Sequence, residues 1–196
     1  MQRKNIPLGN VFMASLFLLL TGIVTIAQTP GPMTIQATAM GTSTQLGRIV
    51  DVNIYIENYS TQEDRNTLIH AFKARKQDGL VDALQKMKAK GRVRFSNGGV
   101  GNEVKYIIEL PPKKGENGRR LRLITDRWLL FSELYNSTRS SDYSVGAIEL
   151  NLDADGKGTG TVLPACKLTV NKKSKQVEVE TYQNPWNLTN FIIHKD

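Results

Sequence analysis

The chain has 196 residues, of which 26 are lysine or arginine and 18 are aspartate or glutamate, so its formal net charge is +8. This length fits one domain, and an apolar content of 40% supplies a hydrophobic core and argues against a disordered chain. The single cysteine excludes an intramolecular disulfide and a zinc site built from several cysteines.

The first 27 residues have the pattern of a secretory signal peptide. Arg3 and Lys4 precede the uncharged apolar stretch 11–27, which ends with the small residues Thr25 and Ala27 around one isoleucine. A basic start, an apolar centre and small residues at the cleavage site define such a signal. The alternative is an uncleaved anchor, since this stretch is near the shortest that spans a membrane. We predict cleavage after Ala27, no later membrane span, and an exported protein in a periplasm or outside a cell.

The segment after the signal is predicted to lead into the folded domain. Residues 28–45 carry no charge and are rich in threonine, glycine, proline and alanine, which indicates an extended lead-in. Residues 46–196 are predicted to form a single α+β domain. Its first strand is marked by apolar residues that alternate with polar ones from Val50 to Ile56, the period of a half-buried strand.

A helical region follows this strand. Ser60 with Glu63 three positions later is typical of a capping box, and the apolar residues after it fall at helical spacing. Gly79 interrupts the pattern, which predicts an early amphipathic helical pair over residues 62–76 and 78–89, or one helix with a weak joint.

The rest of the chain is typical of short strands. Alternating segments are separated by turn residues, at 92–96, 103–110, 119–124, 148–152, 161–163, 165–170 and 177–182. Short strands joined by tight turns predict a mainly antiparallel sheet of about six to eight strands.

The basic residues are the most informative feature of the sequence. Between residues 73 and 94 there are eight cations and only two acids. If the strands that follow are neighbours, further cations share one solvent face, with Glu103 and Glu109 as cross-strand partners. The candidate anion-binding residues are therefore Lys73, Arg75, Lys76, Arg92, Arg94, Lys105, Arg120 and Arg122.

Two interpretations of these cations are open. One is a solvated face that keeps the protein soluble. The other is a docking patch for an anionic partner, which is an acidic polysaccharide, lipid head groups or an acidic protein surface. The chain has no recognisable nucleic-acid-binding motif, which argues against DNA or RNA.

The residues that usually carry catalysis are few. His70 lies in the predicted first helix and His194 lies near the C-terminus, and no Gly-x-Ser-x-Gly elbow is present. We therefore predict no catalytic residue and no cofactor. Cys166 shares strand parity with Leu168 and is interpreted as a core residue, the alternative being a reactive or intermolecularly paired thiol.

Two further motifs have competing interpretations. Asn151, Asp153 and Asp155 with the following glycine match the first half of an EF-hand loop, but Val162 stands where a bidentate glutamate is needed. We predict a hairpin turn and no metal, with these three residues as the only candidate calcium ligands. Trp186, in an aromatic and amide-rich stretch, is interpreted as a plug for the core, with carbohydrate stacking as the alternative.

Long stretches of the chain resemble a group of small exported bacterial proteins of unassigned function. The similar stretches are residues 41–61, 119–127, 135–152, 163–173 and 182–190. The resemblance implies a shared fold and a periplasmic or extracellular location. It implies no catalytic residue, cofactor or substrate.

These observations predict a non-enzymatic exported binding or accessory protein with a basic face for an anionic partner. One alternative is a hydrolase of unfamiliar type, which requires a histidine in a concave pocket with a nucleophile. The other is a small-ligand carrier, which requires an enclosed apolar cavity of about 300 Å³ or more.

Overall fold

The structure, a computed structural model, describes residues 31–96, 99–112, 118–129, 143–153, 155, 157–180 and 184–195. The predicted signal peptide at residues 1–27 lies outside this part of the chain. No helix within the described ranges is long and apolar enough to cross a membrane.

The described residues form nine strands and one long helix. They are β1 (Met33–Met40), β2 (Ile49–Ile56), α1 (Gln62–Lys86), β3 (Gly91–Phe95), β4 (Asn102–Leu110), β5 (Arg119–Thr125), β6 (Val145–Leu152), β7 (Gly158–Val170), β8 (Val177–Glu180) and β9 (Trp186–Lys195). Every strand pairing is antiparallel. The predicted α+β class with a mainly antiparallel sheet is confirmed.

Eight of the strands close into a barrel in the order β1, β2, β3, β4, β5, β6, β7 and β9. Closure depends on β9, which pairs with β1 on one side and with β7 on the other. The remaining strand, β8, pairs with the second half of β7 outside the barrel. The alternation of apolar and polar residues predicts the strands of the sheet. It does not predict that the two edge strands of the sheet pair with each other and close a barrel.

The first barrel strand lies in the segment predicted to be a lead-in. Met33–Met40 pairs along its whole length with β2 and also with β9. The extended lead-in predicted for residues 28–45 therefore includes a strand of the barrel itself.

The barrel interior is a packed core. All eight barrel strands contribute buried apolar side chains to it, including Ile35, Ile54, Leu121, Leu150 and Trp186. An eight-stranded barrel is just wide enough for such side chains to fill. They occupy the space that the carrier alternative assigned to a ligand. The interpretation of Trp186 as a core plug is confirmed, since that side chain is buried in this cluster.

A bulge in β4 buries this strand on both faces. The pairing with β5 shifts register between Val104 and Tyr106, so Val104 and Ile107 both point into the barrel. Tyr106 and Ile108 face outward and are covered by α1. The sequence predicted one buried face, because strict alternation cannot reveal an extra residue inserted into a strand.

Helix α1 begins one residue later than its predicted capping box. Thr61 is the N-cap: its side chain accepts from the N–H of Asp64 at 3.2 Å, and its own N–H donates to the Asp64 carboxylate at 2.8 Å. Ser60, predicted to cap with Glu63, instead exchanges hydrogen bonds with Ile107. These bonds join the start of the helix to the bulged strand.

The helix covers one side of the barrel. It packs on β4, β7 and β8. Leu68, Leu80 and Leu84 are fully buried against outward side chains of the barrel strands. The outer face of β9, β1, β2 and β3 lies away from these contacts and carries polar side chains.

The predicted helical pair is wrong in that α1 is a single helix with a kink. Arg75 and Lys76 have non-helical backbone angles, and Lys76 has a φ of 52°. Gly79 makes the kink possible, because a Cβ there would lie 2.2 Å from the carbonyl oxygen of Ala71. The glycine was recognised from the sequence, but the helix continues through it and bends just before it.

Candidate functional site

Cations surround one carboxylate on the outside of β3 and β4. Glu103 lies directly across from Arg92 in the antiparallel register, and the Nζ of Lys105 lies 2.7 Å from its carboxylate. The hydrogen bond and charge of Lys105, followed by the charges of Arg92 and Arg127, lower the pKa of Glu103 below its usual range. Glu103 therefore stays ionised among three cations.

A fourth cation, Arg94, is two positions along β3 from Arg92 and shares its exposed face. Its stem crosses the β3–β4 connection, where a Cβ on Gly101 would lie 2.6 Å from Cγ of Arg94. Gly101 has a φ of 87°, which glycine adopts without strain. We call these four cations and the carboxylate the Glu103 cluster, comprising Arg92, Arg94, Lys105, Arg127 and Glu103.

The sequence did not single out Arg127. This residue follows β5 in the chain and comes near Glu103 because β5 is the neighbour of β4. The side-chain amide of Asn102 donates to the carbonyl of Trp128 at 3.0 Å and holds this segment against β4. No local pattern signals the contact, because it depends on the strand register.

The predicted cations Arg120 and Arg122 lie apart from this cluster. Both bind the carboxylate of Glu149 on β6, at 2.8 Å and 2.6 Å respectively. Arg122 is buried and also donates to the carbonyl of Val177 in β8 at 2.8 Å. These two arginines share one half-buried carboxylate, and Arg122 is also tied to β8, so the contact holds the sheet together and does not form a docking surface.

The three predicted cations of the helix also lie elsewhere. Arg75 forms a salt bridge with Asp82 at 2.6 Å, across the kink of α1. Lys76 stacks over the ring of Phe72, with its Nζ 5.4 Å from the ring centroid. Lys73 is exposed on α1. Of the eight predicted residues, the structure brings together Arg92, Arg94 and Lys105.

Glu109 does not lie on the predicted solvent face. Because of the β4 bulge it has the parity of the barrel interior, at the end where β4 leaves the sheet. Arg119 binds its carboxylate there, with the closest contact at 3.0 Å, and also donates to the hydroxyl of Tyr59.

An open cleft of about 270 Å³ lies at this same end of the barrel. It is lined by Arg119, Arg120, Asn151, Asp153 and Lys157, among others. The two arginines are bound by Glu109 and Glu149, so their charges in the cleft are largely compensated. Two further grooves, of about 360 and 470 Å³, flank α1.

The histidines lie outside these three clefts. His70 is exposed on α1 and His194 is exposed near the end of β9. Cys166 is fully buried, and burial raises the pKa of its thiol to about 12. The interpretation of Cys166 as a core residue is confirmed. The histidine in a concave pocket that the hydrolase alternative requires is not found in these clefts.

The candidate calcium ligands form a hairpin turn. One oxygen of Asp153 accepts from the N–H of Asp155 at 3.1 Å and from the N–H of Lys157 at 2.7 Å. Asn151 lies within β6. Within the described ranges, no three His, Cys, Asp or Glu side chains come together as a metal site.

Comparisons with known proteins add no relationship. No family model matches the sequence, no curated protein matches it, and no solved structure matches the fold. The case for a function therefore depends on the geometry.

Proposed function

We propose that this protein is a non-enzymatic exported binding protein that holds an anionic partner on the Glu103 cluster. One observation carries the proposal: three cations surround the carboxylate of Glu103, and a fourth, Arg94, lies exposed beside them on β3. Elsewhere on the sheet the arginines described above are matched by Glu109 or Glu149.

The arrangement suits an external anion. Lys105 is committed to Glu103, since its buried side chain binds that carboxylate. Arg92 and Arg94 remain exposed at the surface, on the same face of β3. A partner that carries phosphate, sulfate or carboxylate groups would bind these guanidinium groups by charge-assisted hydrogen bonds.

The neighbouring strands extend this face with polar side chains. Tyr55 lies across from Arg92, and Asn53 lies across from Arg94. On β1, Thr34 and Gln36 continue the same two rows. These side chains offer hydrogen bonds to the partner without an opposing charge.

The test is a charge-reversal comparison with a polyanion as probe. Binding of the purified protein to immobilised dextran sulfate is measured at low and at physiological salt, for wild type and for the double variant R92E/R94E. The control is K88E/K157E, which makes the same change in charge at exposed lysines outside the Glu103 cluster.

We expect R92E/R94E to weaken binding roughly tenfold or more, because each cation at an anionic surface contributes about 1 kcal/mol. The control should weaken it far less, and binding should fall with salt as the Debye length shortens. Equal losses in the two double variants would mean that net charge alone drives binding, and the proposal would then fail.

A further inference from the structure

Exposed apolar side chains gather at one end of the barrel. Leu46 is 82% exposed, Val100 is 79% exposed and Ile49 is 61% exposed, and Met40 and Trp128 are partly exposed nearby. Among the described residues the remaining large exposed apolar side chain is Ile192, on β9. Single exposed apolar residues are ordinary on protein surfaces, but a group of them at one end marks an interaction site.

The strand directions place these residues together. Strands β1, β3 and β5 run the same way, because each is separated from the next by one antiparallel partner. The described residues that follow them, 41–48, 96, 99–101 and 126–129, therefore lie at the same end of the barrel. We call this the apolar end.

The apolar side chains are held outward by the backbone. In the β1–β2 connection, the N–H of Gly41 donates to the carbonyl of Arg48 and the N–H of Arg48 donates to that of Gln45, which closes the loop on itself. Gly47 turns the chain with a φ of 84°. Leu46 lies at the tip of this closed loop and is almost fully exposed.

Two cations of the Glu103 cluster, Arg94 and Arg127, lie near the apolar end. Arg94 is next to the last residue of β3, and Arg127 follows the end of β5. Apolar tips beside arginines are complementary to a lipid surface, whose anionic head groups lie directly above hydrocarbon. Trp128, partly exposed among them, is a residue type favoured at that boundary.

A second copy of the chain fits this end less well. In a symmetric dimer the same patch lies on both sides of the interface, so the arginines of the two copies would approach one another. Like charges across an interface are destabilising. Charge complementarity therefore favours a negatively charged occupant.

We propose that the apolar end docks on an anionic phospholipid bilayer. Leu46, Ile49 and Val100 enter the boundary between head groups and acyl chains, while arginines of the Glu103 cluster bind the head groups. The inference builds on the proposed function and names the partner's class.

The experiment measures binding of the purified protein to vesicles by flotation. Vesicles of phosphatidylcholine alone are compared with vesicles that also contain phosphatidylglycerol. The test variant is L46S/V100S, and the control is I192S, which removes an exposed apolar side chain away from the apolar end. These substitutions report on binding only if the variants remain folded, so urea unfolding is recorded for each variant.

We expect wild type and I192S to bind the vesicles that contain phosphatidylglycerol and not those of phosphatidylcholine alone. L46S/V100S should bind at least about tenfold more weakly, because each exposed side chain loses its transfer into the bilayer boundary. Its binding to dextran sulfate should be unchanged, since no charge is altered.

Several outcomes overturn the inference and separate it from the proposed function. If dextran sulfate is bound through Arg92 and Arg94 but vesicles are not, or if L46S/V100S binds vesicles like wild type, bilayer docking is wrong and the anion site stands. A dimer that L46S/V100S abolishes, with no vesicle binding, would identify a second copy as the occupant. If neither probe is bound, both proposals fail.

Discussion

Lys105 donates to the carboxylate of Glu103 over 2.7 Å, from a side chain that is only 9% exposed. The contact fixes the one acid of the Glu103 cluster in its ionised form, because the same lysine is the chief cause of its lowered pKa. The Glu103 side chain is itself 45% exposed, but its charge is paired with Lys105, whereas Arg92 and Arg94 lie exposed on the neighbouring strand β3.

Replacing Glu103 with glutamine should strengthen binding to an anionic probe. The change E103Q removes the single negative charge among four cations, so we expect dextran sulfate to bind several-fold more tightly at low salt, at about 1 kcal/mol per unit charge. A small loss of stability should accompany it, because the buried ammonium of Lys105 loses its ionic partner. The control E57Q makes the same charge change at an exposed acid outside the cluster. An equal gain in both variants would contradict the prediction.

Replacing Glu149 with glutamine should destabilise the protein strongly at neutral pH. Burial raises the pKa of Glu149, but hydrogen bonds and charges from Arg120 and Arg122 outweigh it, and the pKa lies below its ordinary 4.5. E149Q leaves Arg122 buried without its ionic partner, at a cost of about 3 kcal/mol in unfolding free energy by urea denaturation. E63Q, at an exposed acid on α1, is the control.

The lowered pKa of Glu149 also predicts that the stability of the protein depends on pH. The pKa of Glu149 is lower in the folded protein than in the unfolded chain. Its contribution to the free energy of unfolding is therefore complete above about pH 4.5, and it is lost as the pH falls through the folded-state pKa. Wild-type stability should therefore decline on acidification below that range, and the deficit of E149Q should shrink there. If the difference in unfolding free energy between E149Q and wild type stayed constant from pH 7 to strongly acidic solution, loss of the ion pair would not be its cause.

Replacing Gly79 with alanine should destabilise the protein although alanine favours helices. Helix propensity alone would make alanine more stabilising than glycine by about 1 kcal/mol in a helix interior. Here the new Cβ would lie 2.2 Å from the carbonyl oxygen of Ala71, so the kink of α1 must open. We expect a net loss of about 1–3 kcal/mol in urea unfolding. The control G31A adds a Cβ with nothing within 4 Å and should be close to neutral.

Cys166 should be inert in the folded protein. It is fully buried, and burial raises its pKa to about 12, so the reactive thiolate is scarce at pH 8. A thiol reagent such as dithionitrobenzoate should label native protein only at the rate of unfolding, and urea-unfolded protein at once. The C166A variant gives the background. Rapid labelling of the native protein would place the thiol at the surface.

The sequence pattern correctly predicted those strands in which buried and exposed side chains alternate regularly. Val50 to Ile56 alternate in sequence, and the apolar members point into the barrel. The burial of Cys166 was predicted for the same reason, since it shares strand parity with Leu168. The burial of Trp186 was predicted from the size and apolar character of its ring. The position of Gly79 also marked the region where the helix bends.

The candidate site was only partly predictable. Arg92 and Arg94 share a face because they are two apart on one strand, which sequence shows directly. Arg120 and Arg122 are separate from them because both bind Glu149. This acid lies on β6, far from the two arginines in the sequence, so no local pattern predicts the pairing. Arg127 joins the cluster by strand register alone.

The sequence by itself determined the α+β class, the antiparallel strands and the basic character of the chain, because periodicity and charge are local properties. The tertiary structure decided that the sheet closes through β9, that a bulge in β4 reassigns its faces, and which acid each cation lies beside. The physical reason is that closure, register and ion pairing depend on contacts between residues distant in the chain, whose energies no local pattern contains.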